Sequence, residues 1–135
     1  MAVRRVHRPV NAGNSDRRDA LIVAGLTLLG LALHSARLDF QPLWWDEGYS
    51  VWFAHQPLAA MLRLTALDIH PPLYYALLGG WSQLFGLAPV ALRFFSVAAG
   101  VVAIPLIYAA GRTLGGRRAG LLAAGLLAIN PLHIF

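Results

Sequence analysis

The run from Val90 to Ala110 holds twenty-one residues and one formal charge, Arg93, near its start. About 20 apolar residues are what a helix needs to cross a ~30 Å hydrocarbon core. Inside lipid every backbone N–H and C=O must be satisfied within the segment, which leaves a helix as the solution for a lone run of this kind. Arg93 can snorkel to the interface, and Gly100 and Pro105 are tolerable in a packed span. Ala20 to Ala36 adds 17 residues without a formal charge, about 26 Å of helix at 1.5 Å per residue. Ala119 to Phe135 is a third apolar run, with Gly and Ala that let helices approach closely. Only 13% of the 135 residues are charged and 58% are hydrophobic, against roughly 25% charged in soluble domains. The chain therefore reads as an all-α integral membrane protein with three spans, at about 19–36, 90–110 and 119–135. A site enclosed by spans needs more of them, so the expectation is the N-terminal part of a longer multi-span bundle.

Charge gives the orientation. The net +5 comes from eleven arginines and no lysine, five of them within residues 1–18 and three in Gly111 to Arg118. Basic residues beside apolar spans mark the cytoplasmic side, so both stretches are expected there, with residues 37–89 outside. Nucleic acid is not needed to explain the basic balance. Residues 1–18, broken by Pro9, Asn11, Gly13 and Asn14, read as a flexible Arg-rich tail. A cleaved leader ending at Ala36 is disfavoured, because His34 stands where a small residue is required. Cysteine is absent, which excludes disulfides and thiolate metal sites.

The outer loop carries four of the six acidic residues, Asp39, Asp46, Glu47 and Asp68. Asp46 and Glu47 follow Trp44 and Trp45, and tryptophan settles at the depth where headgroups meet water. Asp46 is also a natural N-cap for a helix through Tyr49, Trp52 and Phe53, and both readings of it stay open. A second short amphipathic piece follows Pro57, with Leu58, Met61 and Leu62 on one face. Both pieces suit the membrane interface, and both suit packing on neighbouring helices. Asp68 and His70 form a second polar cluster before Pro71-Pro72, which keeps the chain out of helix just ahead of it. Pro72 to Gly86 is apolar, but its 15 residues reach only about 22 Å. It reads as membrane-dipping, since counting it as a span would place residues 111–118 outside.

No Gly-rich phosphate loop, zinc spacing, Ser-His-Asp arrangement or internal repeat is present. The spans are almost free of ionisable residues, which argues against the alternative of a transporter or a non-catalytic subunit with a cation-binding acidic loop. Asp46, Glu47, Asp68 and His70 are of types that leave room for a divalent cation, without a spacing that defines one. No metal ligand or cofactor is assigned.

The chain resembles the GT-C membrane glycosyltransferases, in particular the bacterial relatives of protein mannosyltransferases and aminoarabinose transferases. The resemblance lies in an ordered series: Trp45-Asp46-Glu47 with Ser50, Asp68-Ile69-His70-Pro71-Pro72-Leu73-Tyr74-Tyr75, Leu84-Phe85-Gly86, Leu92-Arg93, Tyr108 with Gly111-Arg112, and Asn130-Pro131. It covers about residues 20–135. It implies a GT-C helical bundle with interfacial helices in its first outer loop, in the cell membrane, acting on the extracytoplasmic side. It implies transfer of a sugar such as a hexose or pentose, mannose for example, from a polyprenyl-phosphate donor to a protein, lipid or glycan acceptor. The catalytic base carries onto Asp46. Glu47, Asp68 and His70 are then expected to bind substrate, with Arg63 and Arg93 as the local cations for the departing phosphate.

Overall fold

The computed structural model describes residues 12–36, 38–40, 42–67 and 69–130, with side chains from Asn14 onward. Over these residues the protein is all helix: α1 (Ala12–Ser35), α2 (Trp45–Ala54), α3 (Leu58–Ala66), α4 (Pro72–Phe85) and α5 (Pro89–Ala128). Two helices are long and apolar enough to cross a membrane, α1 over Asn14–Ser35 and α5. Only 22% of the apolar window in each is buried by protein. Apolar helix surface left that bare is suited to lipid rather than to water. At 14 residues α4 is about 21 Å long and is not one of the two.

The helices divide into two compact units, residues 1–33 with 100–135, and residues 34–99. In the first unit α5 breaks at Gly116, whose φ of 80° lies in the left-handed region that glycine enters without a Cβ clash. The chain reverses there, and the following arm packs back on the preceding one. A Cβ built on Gly120 would stand 2.6 Å from the Tyr108 carbonyl oxygen, so only glycine permits that approach. Ile104, Ala124 and Ala128 form the buried seam between the arms, flanked by Leu26 of α1. The sequence stretch 111–118 is thus a tight reversal. The second arm ends at Ala128, just ahead of Asn130; Pro131 to Phe135 lie outside the described residues.

The start of α1 meets that reversal. Asp19 is 1% exposed, and Arg117 grips it with Nε 2.7 Å from Oδ1 and 2.8 Å from Oδ2. The Tyr108 hydroxyl donates to the same carboxylate at 3.1 Å, and Arg112 donates to Tyr108 at 3.3 Å and to Asp16 at 2.7 Å. These bonds explain a difference from the sequence reading: α1 begins at Ala12, inside the stretch read as a tail without periodicity. Its first turns are held by tertiary ion pairs rather than by an apolar face, so no pattern in residues 12–18 announces them.

In the second unit Phe53 of α2, Met61 of α3 and Tyr75 of α4 make a small core. The Phe53 and Tyr75 rings stack with centroids 4.8 Å apart, and Tyr49, Trp52 and Tyr74 extend the aromatic cluster by stacked and edge contacts. α4 crosses α2 closely, because Gly79 presents no side chain to Ala54; a Cβ there would lie 2.5 Å from the Ala54 carbonyl oxygen. Trp81 ties α4 to the start of α5 through its indole N–H, which donates to the Ala91 carbonyl at 2.8 Å.

Two outcomes follow from this architecture. The start of α1 and the Gly116 reversal share one end of the first unit, and from the arginine excess we infer that this end faces the cytoplasm. Cysteines introduced as Ser15→Cys and Thr113→Cys should resist a membrane-impermeant thiol reagent in intact cells, while Ser50→Cys reacts; labelling at 113 would reverse the orientation. Gly79→Ala should push α4 off α2 and cost about 1–3 kcal/mol, the usual range for overpacking, read as a lowered thermal midpoint in detergent.

Candidate functional site

The acidic dipeptide sits in the first turn of α2, and its two carboxylates have separate fates. Trp44, with extended φ and ψ, is the N-cap residue, so Asp46 falls inside the helix and does not cap it. The capping reading of Asp46 is therefore corrected: the helix starts two residues earlier than that role needs. The free amide is taken instead by Glu47 at the third helical position, whose Oε2 accepts the Trp44 N–H at 2.8 Å.

Glu47 is also the anchor for Arg93. The guanidinium donates from Nε to Oε1 at 2.7 Å and from Nη2 to Oε2 at 2.8 Å, a fork against a fork. Its remaining donors reach the backbone, Nη1 to the Leu38 carbonyl at 2.7 Å and Nη2 to the Pro42 carbonyl at 3.1 Å. One side chain of α5 thus fixes both the loop before α2 and the first turn of α2. The hydrogen bonds from Arg93, aided by the Trp44 N–H and opposed by partial burial, hold the Glu47 carboxyl below the usual glutamate range.

Asp46 is exposed, and among the described residues no group pairs with its carboxylate. Its backbone carbonyl accepts the Ser50 hydroxyl at 2.9 Å, which steadies the turn that carries it. Trp45 beside it is 87% exposed and Trp44 62%, a placement that suits the headgroup layer. Arg63 lies exposed on α3. His70 lies exposed just ahead of α4, its ring 6.3 Å from that of Tyr75. Asp68 lies outside the described residues. Among the described residues no three His, Cys, Asp or Glu side chains gather as metal ligands.

The structure brings Glu47 and Arg93 together and gives both specific partners. Sequence reasoning marked the two residues but not their pairing, since 46 positions separate them and neither charge pattern nor periodicity links them. The backbone contacts of Arg93 to Leu38 and Pro42 had no sequence signal at all.

Residues 69–134 match the family model of dolichyl-phosphate-mannose-protein mannosyltransferases, which are glycosyltransferases of the GT-C type. The resemblance read from the residues is to the same class. No curated protein and no solved structure matches the chain. The matched stretch contains His70 and Arg93 and begins after α3, so Asp46, Glu47 and Arg63 precede it.

The lowered Glu47 pKa sets a pH dependence. A depressed carboxyl contributes its stabilisation in full above the ordinary glutamate value of about 4.3 and loses it as pH falls through the folded value. Amide exchange over residues 38–47 should therefore be slow and unaffected by this group from pH 8 down to about 5, then accelerate relative to its intrinsic rate below about 4. Glu47→Gln should show the faster exchange already at neutral pH and lose the acid transition. An unchanged acid transition in that variant would assign it to another group.

Proposed function

We propose that the protein is a glycosyltransferase that moves a sugar from a polyprenyl-phosphate donor to an acceptor hydroxyl at the outer face of the membrane, with Asp46 as general base. The observation that carries this reading is the division within the dipeptide. Glu47 is held by Arg93 and the Trp44 amide, and Asp46 beside it is exposed with no partner to its carboxylate among the described residues. The family match supports the reaction class. The exposed Trp44 and Trp45 support the location, because they would hold Asp46 at the level of a phosphate-linked sugar in a lipid layer.

The acceptor oxygen attacks the anomeric carbon, and the bond from that carbon to the phosphate oxygen breaks. The electron pair leaves with the polyprenyl phosphate, and the hydroxyl proton passes to the Asp46 carboxylate as the new glycosidic bond forms. Base assistance of this kind contributes typically 10²–10⁴-fold. Glu47 and Arg93 act on substrate through position: their pairing orients the turn that presents Asp46. Arg63 is exposed and is the cation proposed to meet the departing phosphate. His70 and Asp68 are proposed to contact the sugar or the acceptor. The sugar is proposed to be a hexose such as mannose, and the acceptor a protein hydroxyl, following the words of the family description.

Asp46→Asn keeps the shape and removes the basic lone pair. Transfer from a polyprenyl-phosphate sugar by the purified full-length variant should fall about 100-fold or more, with expression and donor binding retained. Turnover near the parent's would remove Asp46 from the role. Arg93→Lys keeps the charge but cannot supply the fork, and it should lower turnover together with the loop protection at residues 38–47.

A further inference from the structure

The first unit contains an apolar groove remote in sequence from the acidic loop. Ala20, Ala24, Thr27 and Leu28 of α1 line one side, and Pro105 and Tyr108 of α5 the other, around about 530 Å³. Its lining is nearly free of polar atoms on offer: the Thr27 hydroxyl donates to the Val23 carbonyl at 2.8 Å, and Tyr108 donates to Asp19. The groove exists because alanine at successive turns of α1 leaves the helix surface low opposite Pro105.

Both walls carry an arginine at the same end. Arg17 precedes Ala20 by three residues and Ala24 by seven, the spacing of one helical stripe. Arg112 follows Tyr108 by four, the same relation on α5, and donates to its hydroxyl. From Arg17 to Leu28 is about 16 Å of helix, close to half of a ~30 Å hydrocarbon core. The stretch from Arg17 to the far end of the groove is therefore about as long as one leaflet is deep. Charge is in surplus there. Asp16 and Asp19 pair with Arg112 and Arg117, while Arg17, Arg18 and Arg118 are exposed and have no carboxylate partner among the described residues.

We propose that this groove is a binding site for an anionic phospholipid, one acyl chain lying along Ala20 to Leu28 and the headgroup phosphate held between Arg17 and Arg112. A guanidinium fork matches phosphate geometry, and Nη2 of Arg112, though shared with Asp16, belongs to a group 46% exposed. A further helix in the groove would cover its apolar lining and leave the surplus arginines unanswered. A phospholipid answers both, and the anionic leaflet attracts such basic ends.

The test is native mass spectrometry of the full-length protein from micelles holding equal amounts of phosphatidylglycerol and phosphatidylcholine with matched chains. The parent should retain phosphatidylglycerol roughly tenfold or more over phosphatidylcholine, since each basic residue near an anionic headgroup contributes several-fold. Arg17→Gln should bring the two lipids close to parity while adducts persist. Ala24→Leu fills the groove and should abolish the adducts, and Ala20→Leu, one turn nearer the headgroups, is an independent second filling variant. Equal retention of both lipids by the parent overturns the proposal. So does retention of phosphatidylglycerol undiminished in both filling variants, or a dimer mass in place of lipid adducts.

Discussion

The loop before α2 and the first turn of that helix are held by the fork between Arg93 and Glu47. Loop carbonyls outside regular structure need donors from elsewhere in the chain. Arg93 supplies the missing donors from α5 and takes its countercharge from Glu47. Lysine could provide the charge but not the planar set of donors that reaches two carboxylate oxygens and two carbonyls at once. With its side chain 14% exposed, the guanidinium is shielded enough that these bonds matter more than a surface pair would. Removing Arg93 leaves the Glu47 charge without its cation and takes away the donors to Leu38 and Pro42, and removing Glu47 leaves the Arg93 charge without its carboxylate.

The first unit uses the same chemistry for a different purpose. Asp19 is buried at the start of α1, and Arg117 and Tyr108 satisfy it from the two arms around Gly116. The helical reversal and the first turns of α1 are thereby tied together at one end. An acid on an apolar helix is costly alone and acceptable when its oxygens are filled. A chain rich in arginine is well supplied for such contacts: Glu47 meets Arg93 through a two-nitrogen fork, and Asp19 takes the Arg117 Nε–H on both its oxygens.

Much of this was legible in the residues. The long apolar runs announced α1 and α5, because length and hydropathy are local properties. The arginine-bearing stretch Gly111 to Arg118 marked the break between the second and third apolar runs. Pro57 and Pro72 marked the starts of α3 and α4, where a missing N–H costs nothing. What stayed hidden was every feature that needs two distant residues. Residues 12–18 gave no helical pattern because their support comes from Arg112 and Arg117, about a hundred positions on. The resemblance gave Asp46 and Glu47 different roles, but the locking of Glu47 depended on a residue in another helix.

That partition follows from helix geometry. Neighbouring residues on a helix point about 100° apart, so when Glu47 faces Arg93, Asp46 cannot share the same guanidinium. A carboxylate gripped by arginine is a poor proton acceptor, because the cation favours its charged form. The lock therefore takes Glu47 out of contention as a base and, by fixing the turn, aims the side chain that it does not hold. An acid with a structural duty and an acid free of one sit side by side. In the function we propose, the second acts in the layer where Trp44 and Trp45 would meet lipid headgroups. A base needs both properties at once, freedom from partners and a defined position, and adjacency to a locked neighbour is a simple way for a short helix to supply them.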